Sequence, residues 1–179
     1  MIANILNAIT LSRIFCAILI YLILFLESNY SLALFLFIVA SFSDFLDGYL
    51  ARKTDSVSVL GEILDPIADK LLIVFVLIGL SINLDSFLIG FISAIIISRE
   101  IWVAALRDIN SRNNESDKTK VTFLAKTKTA IQMLAILMYL FGLTLNSMMI
   151  LFFADIILII ALLVTIQTGF QYTISTFKK

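Results

Sequence analysis

The sequence predicts an all-α fold, a polytopic membrane protein in which a bundle of six transmembrane helices keeps both termini in the cytosol. Three observations lead there. Of 179 residues, 61% are hydrophobic and only 15% are charged, a balance that ordinary soluble domains do not approach. Apolar runs at 8–26, 31–50, 63–84, 86–106, 128–145 and 148–170 can each cross roughly 30 Å of hydrocarbon as a helix. The breaks near Glu27–Tyr30, Leu84–Asp85 and Leu145–Ser147 contain no Lys or Arg, whereas all 13 basic residues lie toward the other side, which the positive-inside rule assigns to the cytosol.

The first run opens on Asn7, Thr10 and Arg13. It reads as mature protein rather than a removable leader, because Arg13 is its only flanking charge, no clear cleavage site follows and five more spans do. Cys16 within it reads as a small buried apolar residue. The second run ends in Ser-Asp-Phe-Leu-Asp-Gly-Tyr-Leu-Ala-Arg at 43–52, followed by a cytosolic loop at Lys53–Leu60. Gly61, Asp65, Pro66 and Asp69 open the third helix, with Pro66 expected in its first turn, where a missing N–H breaks no bond. Arg99 and Glu100 lie in the fourth run. A loop is expected at Asp108–Thr122, and Arg107, Arg112, Lys118 and Lys120 read as charges meeting anionic lipid heads. The fifth span follows Lys126 and begins at Lys128. The sixth is apolar apart from Asp155, an acid that must be protonated or paired across a helix interface. Gly79, Gly90 and Gly142 read as close-packing points. Residues 1–179 form one membrane-embedded domain with no internal repeat.

The charges inside the runs sit at matching depth. Arg13, Asp44 and Arg99 are each thirteen residues from the outer end of their span, Asp69 is fifteen and Lys128 seventeen. At ~1.5 Å per residue these groups lie about 20 Å from the outer boundary, still within a core of roughly 30 Å. Facing lipid there costs roughly 3 kcal/mol or more per charge, so the side chains are expected to converge on a hydrated chamber open to the cytosol.

Asp44 and Asp47 are three apart, and Asp65 and Asp69 four apart, so each pair shares a helical face. Carboxylates about 4 Å apart repel by about 4 kcal/mol at an effective dielectric of ~20. Arg52, Lys53 and Lys70 offset part of that repulsion. One or two Mg²⁺ or Mn²⁺ ions match it better, because these hard cations take oxygen ligands and share them with substrate phosphates. Singly, each acid reads as a solvated helix end; four together at membrane depth do not. Gly48, Gly61 and the small Ala51 leave room for a base or diphosphate against the backbone. The chain has no His, which excludes His-based acid–base chemistry and turns attention to carboxylates.

These residues spell D-x-x-D-G-x-x-A-R-x8-G-x-x-x-D-x-x-x-D, and every position of that signature is present: Asp44, Asp47, Gly48, Ala51, Arg52, Gly61, Asp65 and Asp69. The chain thereby resembles the CDP-alcohol phosphatidyltransferase family. Within it, Asn7-x-x-Thr10-x-x-Arg13, Leu64–Lys70, Arg99-Glu100-Ile101 and Lys126–Thr129 with Gln132 are similar to the branch that uses glycerol 3-phosphate. Ala125 stands where that branch has Gly.

The resemblance implies transfer of the phosphatidyl group of CDP-diacylglycerol to glycerol 3-phosphate, giving phosphatidylglycerol phosphate and CMP. It implies metal at Asp44, Asp47 and Asp65, with Asp69 sharing it or acting as base. Asn7, Thr10, Gly48, Ala51, Arg52 and Gly61 are candidates for holding the CDP moiety, and Arg99, Lys126 and Lys128 for the acceptor phosphate. It also implies a homodimer in the cell's inner membrane, with the site facing the cytosol. Serine, inositol phosphate and phosphatidylglycerol are the alternative acceptors. An Asp-rich intramembrane prenyltransferase fits the spacing less well, and a transporter would be expected to show inverted repeats with midplane polar groups.

Overall fold

The computed structural model describes the backbone of residues 2–54, 59–119 and 123–178, and side chains at 7–43, 61, 64, 66–115, 117–119, 123–125 and 127–178. Six long helices follow one another: α1 Ile2–Phe25, α2 Tyr30–Thr54, α3 Val59–Asn83, α4 Phe87–Arg112, α5 Phe123–Thr144 and α6 Met148–Phe177. A short 3₁₀ turn, Ser116–Thr119, precedes α5. There is no strand among the described residues.

Three tight turns join α1 to α2, α3 to α4 and α5 to α6. Each passes through the left-handed region at a residue other than glycine: Glu27 at φ 48°, Asp85 at 45° and Asn146 at 49°. Each closes with the same pair of bonds, in which Ser28, Ser86 and Ser147 donate to Ile23, Ser81 and Gly142 at 3.2, 3.0 and 2.9 Å. Glu27, Asp85 and Asn146 donate to Leu24, Ile82 and Leu143 at 3.3, 3.2 and 3.2 Å, completing three Schellman motifs. The next helix starts at once, because Asn29 Oδ1 accepts from the Leu32 N–H at 3.0 Å and Ser86 Oγ from the Ile89 N–H at 3.4 Å. Asn83 Nδ2 donates to the Leu24 carbonyl at 2.9 Å and the Tyr30 hydroxyl at 3.1 Å, which ties the α1–α2 turn to α3.

Around the bundle the helices run in the order α1, α3, α4, α6, α5, α2 and back to α1, with α3 also meeting α5 across the ring. Both acid-bearing helices, α2 and α3, therefore pack on α1. The buried core is aliphatic and small: Ala17, Ile20 and Leu24 of α1 meet Leu72, Val76 and Leu80 of α3, and Ala135, Ile136 and Leu140 of α5 meet Ala154 and Leu158 of α6. A Cβ on Gly79 would stand 3.0 Å from Leu24 Cδ1, and one on Gly142 2.8 Å from Leu151 Cδ2, so these glycines set the close approach of α1 to α3 and α5 to α6. Phe15, Phe35, Phe87, Met148 and Phe170 stay exposed on the outside, as a lipid-facing surface requires.

Among the described residues five helices are long and apolar enough to cross a membrane: Asn7–Phe25, Pro66–Asn83, Phe87–Arg112, Phe123–Thr144 and Met148–Phe177. Of α2, Tyr30–Ser43 lies within the residues whose side chains are described, and it is apolar. Two expectations change. Pro66 does not open α3, which begins at Val59; it lies inside the helix and removes the N–H that would bond four residues back. The stretch expected to be a loop from Asp108 is helical through Arg112, closes with a fourth left-handed residue, Asn114 at φ 58°, and then enters the 3₁₀ turn. Arg112 pairs with Asp108 at 2.7 Å, and buried Asn110 donates from Nδ2 to Thr176 Oγ1 at 2.9 Å, so tertiary contact extends the helix beyond its apolar part.

Candidate active site

The N-terminal half of α3, the C-terminal half of α4 and the N-terminal half of α5 enclose a cavity of about 510 Å³. It lies at the end of the bundle away from the three tight turns. Pro66, Asp69, Lys70, Ile73 and Val74 line it from α3, Arg99, Glu100, Val103, Ala104 and Arg107 from α4, and Ala125, Lys128, Thr129 and Gln132 from α5.

Asp69 is the signature acid whose surroundings are described. Its side chain is 34% exposed, and Oδ1 accepts from Arg13 Nη1 at 2.8 Å. Arg13 comes from α1 and its side chain is 0% exposed, so the carboxylate helps to compensate its charge inside an apolar bundle. Thr10, one turn before Arg13, is also buried, Asn7 half-buried and Gly61 half-buried at the start of α3. Asp44, Asp47, Gly48, Ala51 and Arg52 sit on α2, Asp65 on α3 and Lys126 on α5, and their side chains lie outside the described residues. Both acid pairs fall within continuous helix, so their three- and four-residue spacings are helical ones.

The other wall is cationic. Glu100 Oε1 accepts from Arg99 Nη1 at 2.9 Å and from Lys128 Nζ, binding α4 to α5. The Arg99 and Lys128 side chains are 9% and 6% exposed, so both turn inward rather than snorkel toward the membrane surface. Arg99 Nη2 also donates to Thr168 Oγ1 at 2.8 Å, and its guanidinium carbon lies 5.7 Å from the centre of the Tyr172 ring. Gln132 Nε2 donates to Thr165 Oγ1 at 3.0 Å. Ala125 packs against Val103, Leu106 and Tyr172.

The structure thus brings three of the expected residues, Asp69, Arg99 and Lys128, to one cavity. Arg107, expected to be a loop charge, instead lies on α4, where it is exposed and lines the cavity with its guanidinium 5.5 Å from the Tyr172 ring. The signal was available, since Arg99, Val103 and Arg107 recur at four-residue spacing along one helix face. Sequence reasoning also passed over Glu100 as a bridge and α6 as a supporting wall. Asp155 lies elsewhere and accepts from the Tyr139 hydroxyl across the α5–α6 interface, one of the two arrangements expected for it.

Among the described residues the charged groups lining the cavity are four cations, Lys70, Arg99, Arg107 and Lys128, and two acids, Asp69 and Glu100. The cations on the α4 and α5 wall suit an anionic group such as a phosphate.

A family model described as CDP-alcohol phosphatidyltransferase matches residues 3–167. A Rickettsia bellii protein named CDP-diacylglycerol–glycerol-3-phosphate 3-phosphatidyltransferase is 38% identical over 172 residues, covering 94% of this chain and 93% of its own. Proteins of the same name from Haemophilus influenzae and Escherichia coli are 38% identical over 149 residues and 31% over 135. The alignments cover 82% of this chain and 78% of the Haemophilus protein, and 74% of each in the Escherichia coli comparison. With the signature complete and the match running through five helices into the sixth, this chain belongs to the CDP-alcohol phosphatidyltransferase family.

Proposed function

We propose that the protein transfers the phosphatidyl group of CDP-diacylglycerol to glycerol 3-phosphate, releasing CMP and forming phosphatidylglycerol phosphate. One observation carries this reading: Asp69 of the signature lines the same cavity as the cation-rich wall of Arg99, Arg107 and Lys128. The names of the similar proteins support it.

In this reading the acceptor phosphate binds Arg99, Lys126 and Lys128, where charge-assisted hydrogen bonds are strongest and most directional. Asp69, oriented by Arg13, takes the proton from the acceptor hydroxyl. The hydroxyl oxygen forms the new bond to the phosphatidyl phosphorus as the bond to CMP breaks. Asn7, Thr10, Gly48, Ala51, Arg52 and Gly61 hold the cytidine diphosphate, and the acyl chains pass sideways into lipid. Holding both substrates together removes most of the entropic barrier to their encounter.

Asp44, Asp47, Asp65 and Asp69 would hold two Mg²⁺ or Mn²⁺ ions. Asp69 fits that role chemically, since it offers carboxylate oxygen and is open to the cavity. Bound there, the metal supplies neutralisation of the diphosphate and stabilisation of the leaving CMP. We place the enzyme in the cell's inner membrane as a homodimer, with six spans, both termini cytosolic and the cavity opening to the cytosol. The basic ends of the helices support that orientation.

The test is direct. Purified protein is incubated with CDP-diacylglycerol, Mg²⁺ and one of glycerol 3-phosphate, serine, inositol phosphate or phosphatidylglycerol, and CMP release is counted. Release with glycerol 3-phosphate alone is expected. Equal release with serine overturns the reading, because serine has no phosphate for the cationic wall.

A further inference from the structure

We infer that α6 is the positioning element of the acceptor site: Thr168, Gly169 and Tyr172 form a cradle that aims the Arg99 guanidinium into the cavity. The inference rests on the reading of Arg99 as an acceptor-phosphate ligand and goes beyond it, since none of the three residues lines the cavity.

Three contacts of different kinds meet on one side chain. Thr168 Oγ1 accepts from Arg99 Nη2 at 2.8 Å and itself donates to the Val164 carbonyl at 2.8 Å, so the hydroxyl's direction is set by the helix. A Cβ at Gly169 would stand 3.1 Å from Arg99 Cγ and 3.5 Å from Nε, so hydrogen at this position is what lets the arginine stem lie against α6. Tyr172, 3% exposed, presents its ring to Arg99 at 5.7 Å and to Arg107 at 5.5 Å, which draws two cations together that would otherwise repel.

The cradle is held in register by further bonds between α4 and α6. Trp102 Nε1 donates to Thr173 Oγ1 at 2.9 Å and Asn110 Nδ2 to Thr176 Oγ1 at 2.9 Å, both in the turn of α6 that follows Tyr172. On the cavity side Glu100 holds Nη1. Arg99 is thus gripped at both terminal nitrogens and along its stem. A four-bond side chain fixed this way loses little further freedom when an anion arrives.

The experiment measures KM for glycerol 3-phosphate, KM for CDP-diacylglycerol and kcat on the full-length protein in detergent, for Thr168→Val, Gly169→Ala, Gly169→Val and Tyr172→Leu. Each is made alone and with Arg99→Gln. Every single variant except Gly169→Ala is expected to raise the KM for glycerol 3-phosphate about tenfold, the scale of one loosened charge-assisted bond. Gly169→Ala raises it less, the KM for CDP-diacylglycerol stays put, and Thr168→Ser, made as a control that keeps the hydroxyl, retains the parental value. In the Arg99→Gln background the α6 substitutions add nothing. Undiminished effects in that background, or KM values for both substrates rising together, overturn the cradle. If Arg99→Gln raises the acceptor KM and the α6 variants do not, the cradle alone fails. If Arg99→Gln itself leaves that KM unchanged, the acceptor reading of Arg99 fails first and the cradle with it. Should Gly169→Val not fold, Thr168→Val and Tyr172→Leu decide.

Discussion

Arg13 Nη1 donates to Asp69 Oδ1 across 2.8 Å, joining the first helix to the last acid of a signature that otherwise lies on α2 and α3. The two residues are 56 positions apart, and the arginine is wholly buried. Removing the arginine takes a charge-assisted bond from Asp69, whose side chain is 34% exposed beside the cavity, at a cost of about 1–3 kcal/mol. Arg13→Gln is therefore expected to lower the thermal unfolding temperature in detergent and CMP release together, with Arg13→Lys recovering part of both. Unchanged unfolding and turnover in Arg13→Gln would show the bond to be incidental.

Asp69→Asn keeps the size of the side chain and an oxygen for Arg13 to donate to, but cannot take a proton. Turnover should fall by about 10²–10⁴-fold, the range for loss of a general base, while the protein still inserts and folds, with a lower melting temperature because a neutral amide compensates the buried Arg13 charge less well. Near-parental turnover would remove Asp69 from the chemistry.

Chelation isolates the proposed metal requirement from the carboxylate's own role. EDTA should stop CMP release, and Mg²⁺ or Mn²⁺ added in excess should restore it, since hard cations suit carboxylate and phosphate oxygens. Full activity in excess chelator removes the metal proposal and leaves the assignment of the acceptor wall standing.

At the α5–α6 interface the Tyr139 hydroxyl donates to Asp155, so Tyr139→Phe leaves a carboxyl in the outer half of the bundle without that donor. A loss of about 1–3 kcal/mol is expected from thermal unfolding, with CMP release per folded molecule unaltered. Combining it with Asp155→Leu should return most of the loss, because both polar groups are then gone. A double variant no better than Tyr139→Phe would contradict the pairing.

The turn at Glu27 tests backbone strain. Its φ of 48° puts a side chain with a Cβ in the left-handed region, which costs roughly 1 kcal/mol that glycine avoids. Glu27→Gly is expected to raise the unfolding temperature, and Asn146→Gly by less, since Asn tolerates this region. A lowered temperature in Glu27→Gly would mean that its side chain contributes more than the turn costs.

The long apolar helices and the eight positions of the signature were legible in the sequence because both rest on local rules: a bilayer demands length and apolarity, and a helix repeats its faces every three to four residues. The convergence of Asp69, Arg99 and Lys128 was legible too, since a charge at that depth is costly unless it turns inward. What only the tertiary structure decided was who meets whom: Arg13 with Asp69, Glu100 between Arg99 and Lys128, Tyr172 beside both Arg99 and Arg107, and Asn110 with Thr176 carrying α4 past its apolar end. Thr165, Thr168 and Tyr172 look like ordinary residues of an apolar run until the ring order of the helices sets α6 between α4 and α5. Composition and periodicity act within one helix, whereas these partners are fixed by which faces pack together, and that depends on the whole bundle at once.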